Sequence, residues 1–381
     1  WLINYSGGFT KRGIIGQLCI YLANYFGINL RDSILIFQIM ILIIYFFVLY
    51  LFLKNIQINK IIILAIFTPV FILYPVAEIE VLARKEIFIF CIFIFYLFLT
   101  KNTYRLYYKL FFLPLAVLIW EPVCFFFLFF FAIDLIQTQS KKLDIKFVKI
   151  ISSFLPAMIL VCYIALNPIG AENHQIMVDY LMINFNETCY MSCGLLKNKS
   201  SIYDQFAGNF DSYSFEVFFR YILIILFGFG PLFILAFNST LKNSKIIFFE
   251  KFDNLLSPIL ICLTPVIFLF AMGYDWGRWV NISYVFSIIF YIYLYKSNKA
   301  LLNKNFLNNK IFKSLNSKKF FVIFVIIFCF GWNPKTVISG DIATNPLWKI
   351  PYNASKILFR FNNFRILQDS PISKWHKKYI E

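Results

Sequence analysis

The sequence predicts an all-α protein, a polytopic bundle of about ten or eleven transmembrane helices with one large extracytoplasmic loop. Three observations carry that expectation. Apolar runs long enough, alone or with tilt, to cross a bilayer follow one another along the chain. Lysines gather in alternate gaps between these runs. The remaining charged clusters, Lys11-Arg12, Arg84-Lys85-Glu86, Glu121 and Asp275-Arg278, fall in gaps on the opposite side. Composition agrees, with 60% of residues hydrophobic, 21% aromatic and only 14% charged, outside the range of soluble domains.

The chain opens at Trp1 with no charged-then-apolar leader, so a preceding span is expected to be missing. The segment Tyr5-Ser-Gly-Gly-Phe-Thr-Lys11-Arg12-Gly13 then leads into an amphipathic stretch, Ile14 to Phe26, suited to the membrane interface. The first full run is 33–53. Runs 61–76 and 87–100 follow, separated by Glu78, Glu80, Arg84, Lys85 and Glu86. Helical spacing would make Glu80 and Arg84 an i,i+4 pair. The apolar stretch Leu110 to Ile136 is split by Trp120-Glu121-Pro122 into runs 109–120 and 123–136. Proline ends or kinks a helix, which puts Glu121 at a hairpin apex or a helix break. Run 149–166 precedes the long loop Asn167 to Ser214. Run 216–237 opens with Glu216 and Arg220, read as a structural i,i+4 pair, and contains Gly228-Phe-Gly230-Pro231, read as a kink. Runs 257–273, 280–295 and 319–332 complete the series. Several are short for about 30 Å of hydrocarbon and are expected to be tilted, broken or re-entrant.

Orientation follows from the loops. Lys54 and Lys60 share one; Lys101, Arg105 and Lys109 a second; Lys141, Lys142, Lys146 and Lys149 a third. Lys242, Lys245 and Lys251 fill a fourth, and the stretch from Lys296 to Lys319 a fifth. Basic loops stay in the cytoplasm. The acid-bearing loop 167–215 therefore lies outside, as do all four charged clusters. Residues 1–332 form the transmembrane domain on this reading. Residues 333–381 form a basic tail, extracytoplasmic by alternation and suited to anionic headgroups or substrate. The formal charge of +17 does not point to nucleic acid, because no basic amphipathic face or stacking platform accompanies it.

Six of the eight cysteines lie in or beside apolar runs, where a thiol is a small hydrophobe. Cys189 and Cys193 sit instead in the outer loop, spaced for a disulfide in an oxidising compartment. With two histidines, His174 and His376, and no second cysteine pair, neither a metal site nor imidazole chemistry is expected.

The richest motif is Gly273-Tyr274-Asp275-Trp276-Gly277-Arg278-Trp279. A guanidinium grips a phosphate through two parallel N–H bonds, indole faces suit sugar rings, and the acid can act as base or orient the arginine. The plainer reading of these residues is an Asp–Arg pair at a tight turn, with Trp276 and Trp279 as belt residues. Lys11 and Arg12 after paired glycines could present backbone N–H groups and two cations to an anion, or simply rest on headgroups. Glu121 alone at a helix break is a further candidate, and Arg84-Lys85-Glu86 reads equally as a site or as a solvated hairpin.

The order Gly-Gly-Phe-Thr-Lys-Arg-Gly, Ala-Arg-Lys-Glu, Trp-Glu-Pro and Asp-Trp-Gly-Arg-Trp resembles bacterial multi-spanning proteins of surface-polysaccharide assembly. These are the O-antigen-polymerase-like and exopolysaccharide-polymerase-like proteins, with GT-C glycosyltransferases as neighbours. As architecture the resemblance covers most of the chain; as motif, about twenty residues. Similar proteins often have a histidine before the glutamate of the third motif, where this chain has Trp120. The resemblance implies transfer of a glycan from an undecaprenyl-pyrophosphate carrier, on the periplasmic face of the inner membrane, without nucleotide sugar, metal or cofactor. It implies that Arg278, Arg84 or Arg12 stabilises the departing pyrophosphate and that Asp275, Glu121 or Glu86 deprotonates the acceptor. Lys11, Arg12, Lys85, Trp276 and Trp279 then hold substrate, and other polysaccharide-assembly proteins are partners beside membrane lipids. A GT-C enzyme using a polyprenyl-phosphate sugar would carry an acid in its first outer loop, and none lies between Trp1 and Leu30. A polysaccharide or lipid transporter would carry mid-span charges and repeated halves, and neither is evident.

Overall fold

The computed structural model describes residues 1–78, 81–139, 144–189, 193–194, 196, 202–208, 210, 213–242, 248–249, 251–303, 317–338 and 342. Glu80, and so its expected pairing with Arg84, lies outside the described residues, as does the basic tail beyond 342. The described chain is mostly helical, with one small antiparallel ribbon in which Ser239–Leu241 pairs with Ala300–Leu302.

Local chemistry sets where helices begin. The side chains of Asn29, Asn59, Asp144 and Ser214 each accept a hydrogen bond from a backbone N–H of the helix they precede. Such bonds satisfy first-turn donors that have no partner within the helix. Gly27 closes the Gly13–Phe26 helix with φ 63°, a left-handed conformation glycine adopts without strain.

Among the described residues four helices are long and apolar enough, by length and composition, to cross a membrane: Leu30–Leu53, Glu121–Thr138, Ile145–Leu166 and Phe215–Phe237. The other runs form shorter or broken helices. Run 61–76 becomes Lys60–Ile66 and a four-residue turn of helix, Tyr74–Ala77. Run 257–273 becomes Leu256–Leu263 and Val266–Met272, parted at Pro265. A seven-residue helix rises about 10 Å and cannot by itself cross about 30 Å of hydrocarbon. Even within the long segments the backbone changes character. Glu121–Phe126 is a 3₁₀ helix leading into Phe127–Thr138, and Ile145–Ser152 gives way at Ser153-Phe154 to Leu155–Leu166.

Helices Glu86–Phe98, Phe127–Thr138, Phe215–Phe237 and Val266–Met272 pack against Trp276–Lys296, in which every residue from Trp276 to Leu294 is buried. Its apolar side is anchored by Phe286, whose ring meets those of Phe93, Phe126 and Phe129. Two of its polar side chains find partners on the neighbouring segment 65–70. Asn281 Nδ2 donates to Val70 O at 2.9 Å, and Tyr284 Oη donates to Ala65 O at 2.7 Å. Internal pairing is what backbone and side-chain polar groups require where water is absent. By contrast, Leu30–Leu53 leaves Ile36, Ile43, Phe47 and Tyr50 exposed, a surface that matches hydrocarbon.

The Phe215–Phe237 helix holds Pro231 in its interior, and Gly228 serves a close approach: a Cβ there would lie 2.9 Å from Val70 Cγ1. Two sequence expectations change here. Arg105 and Lys109 are not loop cations. They are buried on the Asn102–Ile119 helix, where Lys109 pairs with Asp134 and Arg105 donates to Leu99 O at 2.8 Å. Trp276 and Trp279 are each 5% exposed and so are core residues, not belt residues.

Candidate functional site

The four charged clusters converge on one network although they are spread from residue 11 to residue 278. Arg12 precedes the Gly13–Phe26 helix with φ 62°, an uncommon conformation for a side-chain-bearing residue. Its Nε and Nη2 each donate to Glu121 at 2.7 Å, a two-pronged pairing at the start of the 3₁₀ turn. Lys11 Nζ lies 3.9 Å from the same carboxylate. Lys85 Nζ donates to Arg12 O at 2.6 Å, which ties the second cluster to the first. Glu86 lies 3.1 Å from Arg278 Nε. Arg278 Nη1 donates to Asp275, which Arg84 approaches at 3.7 Å from another side. The guanidinium of Arg278 sits 4.2 Å over the Trp279 ring, and Trp279 contacts Trp120 at 6.2 Å between ring centroids.

Among the described residues this network sets five cations, Lys11, Arg12, Arg84, Lys85 and Arg278, against three carboxylates, Glu86, Glu121 and Asp275. Positive charge is in excess. Burial makes that excess costly unless an anion completes it. Burial lowers the Lys85 ammonium to about 8, and the neighbouring Arg12 charge lowers it further in the same direction. Burial also lowers Lys11, against the pull of Glu121. For Arg12, burial works against the charge, but Glu121 outweighs it and holds the guanidinium above its ordinary value.

A cavity of about 380 Å³ opens beside the network. Lys11, Arg12 and Glu121 form its polar end, while Phe125, Val161, Phe268 and Leu269 make its walls apolar. Trp279 lines it too, and its indole Nε1 is buried without a hydrogen-bond partner. Trp276 does not line it. Its Nε1 donates to Phe270 O at 2.8 Å, and its ring packs against Tyr213, Phe218 and Tyr221. The motif therefore divides by helical spacing, with one indole at the charged cavity and the other turned into an aromatic cluster.

Two arrangements escaped the sequence reading. The segment 333–338 folds onto the start of the central helix. Lys335 reaches Glu78 at 3.1 Å, Asn333 Nδ2 donates to Glu78 at 2.8 Å, and Gly277 N donates to Thr336 O at 3.1 Å. Nothing in the local pattern of Lys335 distinguishes it from the other basic residues that follow. The second is the buried trio of Lys109, Asp134 and Tyr96, in which both Lys109 and Tyr96 donate to Asp134. A signal for it existed, since Asp134 is a lone acid inside the apolar run 123–136. In the outer loop Cys189 and Cys193 are joined as expected, with Cα atoms 5.6 Å apart. His174 is a core residue there, its Nε2 2.8 Å from Cys193 O.

No family model, curated protein or solved structure matches the chain.

Proposed function

We propose that this chain is a multi-pass protein of a bacterial inner membrane that transfers or polymerises a lipid-linked glycan on the periplasmic face during surface-polysaccharide assembly. The observation that carries the reading is the pairing of an apolar cavity with two half-buried cations, Lys11 and Arg12, set against one carboxylate at one end. That is the shape of demand made by a polyprenyl pyrophosphate: a hydrocarbon chain in the walls and a polyanion against Lys11 and Arg12. In the multi-pass arrangement, the shorter helices Glu86–Phe98 and Val266–Met272 pack against Trp276–Lys296.

The chemistry assigns roles by exposure and by partner. Glu121 is chelated by Arg12 and orients it. Glu86 is buried against Arg278 and holds that guanidinium. Asp275, with its side chain 29% exposed, is the most accessible of the three acids and serves as the base. The acceptor hydroxyl oxygen forms a bond to the anomeric carbon of the donor glycan as its proton passes to Asp275. The anomeric C–O bond breaks, and its electron pair leaves with the pyrophosphate, whose charge Lys11 and Arg12 receive.

A transporter of the same lipid-linked glycan is the second reading, favoured by the buried Lys109–Asp134 pair, since ionisable groups within a membrane protein often mark a transport path. One experiment addresses both. Purified protein in detergent, given lipid-linked glycan repeat units, should yield longer lipid-linked products, because transfer needs no sealed compartment and transport does. Arg12→Ala should abolish the products, and Arg12→Lys should recover little, because one ammonium cannot replace a two-pronged fork. No elongation by the wild-type protein, together with uptake of the glycan into sealed vesicles, would overturn the transferase reading.

A further inference from the structure

A second cavity, of about 310 Å³, lies on the far side of the Val266–Met272 helix from the first. That helix is a partition: Phe268, Leu269 and Met272 line the charged cavity, while Val266, Ile267 and Phe270 line the other. The central helix supplies the second cavity with Trp276, Val280 and Ser283, whose spacing of four and three places them on one helical face. No charged side chain lines it. Its rim residues Phe218, Ile222 and Ile267 are exposed, so it opens sideways onto an apolar surface, next to a helix long enough to cross a membrane.

We infer that this second cavity holds the polyprenyl chain of a second lipid-linked glycan, the acceptor, so that donor and acceptor chains lie on opposite faces of Val266–Met272. The inference rests on the transferase reading and adds a site to it. In a bilayer, hydrocarbon gains nothing by leaving the lipid phase, so apolarity alone does not select a ligand. A void does forfeit contacts on one side, so an open apolar cavity in that phase fills with a chain. Choice of chain comes from the head end, and both cavities reach the same motif, residues 273–279. Trp276 belongs to the second and Trp279 to the first, with Asp275 and Arg278 beside them in sequence and space. Two chains on either side of the partition would bring their glycan heads together at the proposed base.

The partition is held at the end nearest that base. Tyr213 Oη donates to Ala271 O at 2.9 Å, and Trp276 Nε1 donates to Phe270 O at 2.8 Å. These bonds fix the separation of the two cavities where the heads would meet. Within the second cavity, Ser283 Oγ is buried without a hydrogen-bond partner, so replacing it by an apolar side chain removes no protein contact while filling space.

The test is photolabelling of the full chain, in nanodiscs, by a polyprenyl phosphate with a diazirine near its distal isoprene, followed by peptide mapping. Label is expected on both sides of the partition, at Phe125 and Val161 for the first cavity and within Phe218–Phe233 for the second. Excess unlabelled polyprenyl phosphate should remove both. Ser283→Leu should cut label within Phe218–Phe233 by tenfold or more, spare Phe125 and Val161, and slow elongation. Label confined to Phe125 and Val161 in the wild-type protein would overturn the second site and leave the transferase reading standing. Label within Phe218–Phe233 that phospholipid competes equally well would overturn it too, since the occupant would then be bulk lipid. Absence of label at both walls would count against the transferase reading itself.

Discussion

Arg278 shows how far burial changes the meaning of a charged residue. From sequence it is a cation at a turn between two apolar runs, available to a phosphate. In the fold it is 5% exposed and committed to Glu86, Asp275 and the Trp279 ring, which makes it a positioning residue for Asp275. Removing one partner of a buried ion pair typically costs about 3–5 kcal/mol, whereas exposed pairs contribute about 0–1 kcal/mol. Arg278→Ala should therefore lower the thermal stability of the purified protein by an amount in the former range. Arg278→Lys should recover less than half of the loss, because one ammonium cannot serve both acids. A silent Arg278→Lys would return this residue to the class of solvated turn pairs. Lys85 makes a second prediction at this scale. Its ammonium titrates at about 8, below the ordinary lysine value of about 10.4, because burial and Arg12 disfavour the charge. Below about 8 it is charged and adds to the attraction for a pyrophosphate; above about 8 that attraction is lost. Its linkage to folding has the opposite sign, since holding the buried charge costs stability at low pH and the cost disappears between about 8 and 10.4. Donor binding should thus weaken as pH rises through about 8, and Lys85→Met should bind at every pH as weakly as the wild type does above about 8, losing that step. A step of equal size in Lys85→Met would assign the titration to another group. The gathering of the four clusters was legible in the sequence, because each falls in a gap between apolar runs that the loop alternation reads as facing one side. Which acid pairs with which cation was not, since Arg12–Glu121 spans more than a hundred residues.

Elements were legible where a run is long and uninterrupted, as in Leu30–Leu53 and Phe215–Phe237. They were not legible where proline recurs. Pro75, Pro156 and Pro265 sit in runs that hydropathy reads as continuous, and at each a helix starts; Pro69 follows shortly after one ends, whereas the break at Pro122 was expected. A hydropathy window sums apolar character and has no register of a missing N–H donor. The same blindness hid Asp134, a single acid in an apolar sum, while Lys109 was grouped with the basic residues of the adjoining loop. Gly277 gives the element-scale prediction. A Cβ at this position would lie 1.8 Å from Lys335 O, so the segment 333–338 can dock on the central helix only over a glycine. Gly277→Ala should lift that segment, release Lys335 from Glu78 and lower thermal stability. Gly230, also helical, has nothing within 4 Å of its would-be Cβ. Gly230→Ala should be neutral or stabilising by up to about 1 kcal/mol. Equal effects of the two substitutions, in paired thermal melts, would remove the docking argument.

At the scale of the whole molecule, a helix bundle with exposed apolar flanks encloses a charged network at one end, and a cavity runs from that network into apolar walls. Composition alone established the apolar exterior. The cavity was beyond the sequence, because its lining comes from segments as far apart as Lys11, Val161 and Trp279. In the proposed function this cavity recognises a polyprenyl chain by the anion at its head. Native mass spectrometry of the purified protein with polyprenyl pyrophosphate and, separately, with the uncharged polyprenol measures that recognition. The pyrophosphate is expected to bind at least about tenfold more tightly, the equivalent of about 1.4 kcal/mol, with the preference disappearing in Lys11→Ala/Arg12→Ala. Equal affinity for the two lipids in the wild-type protein would contradict it.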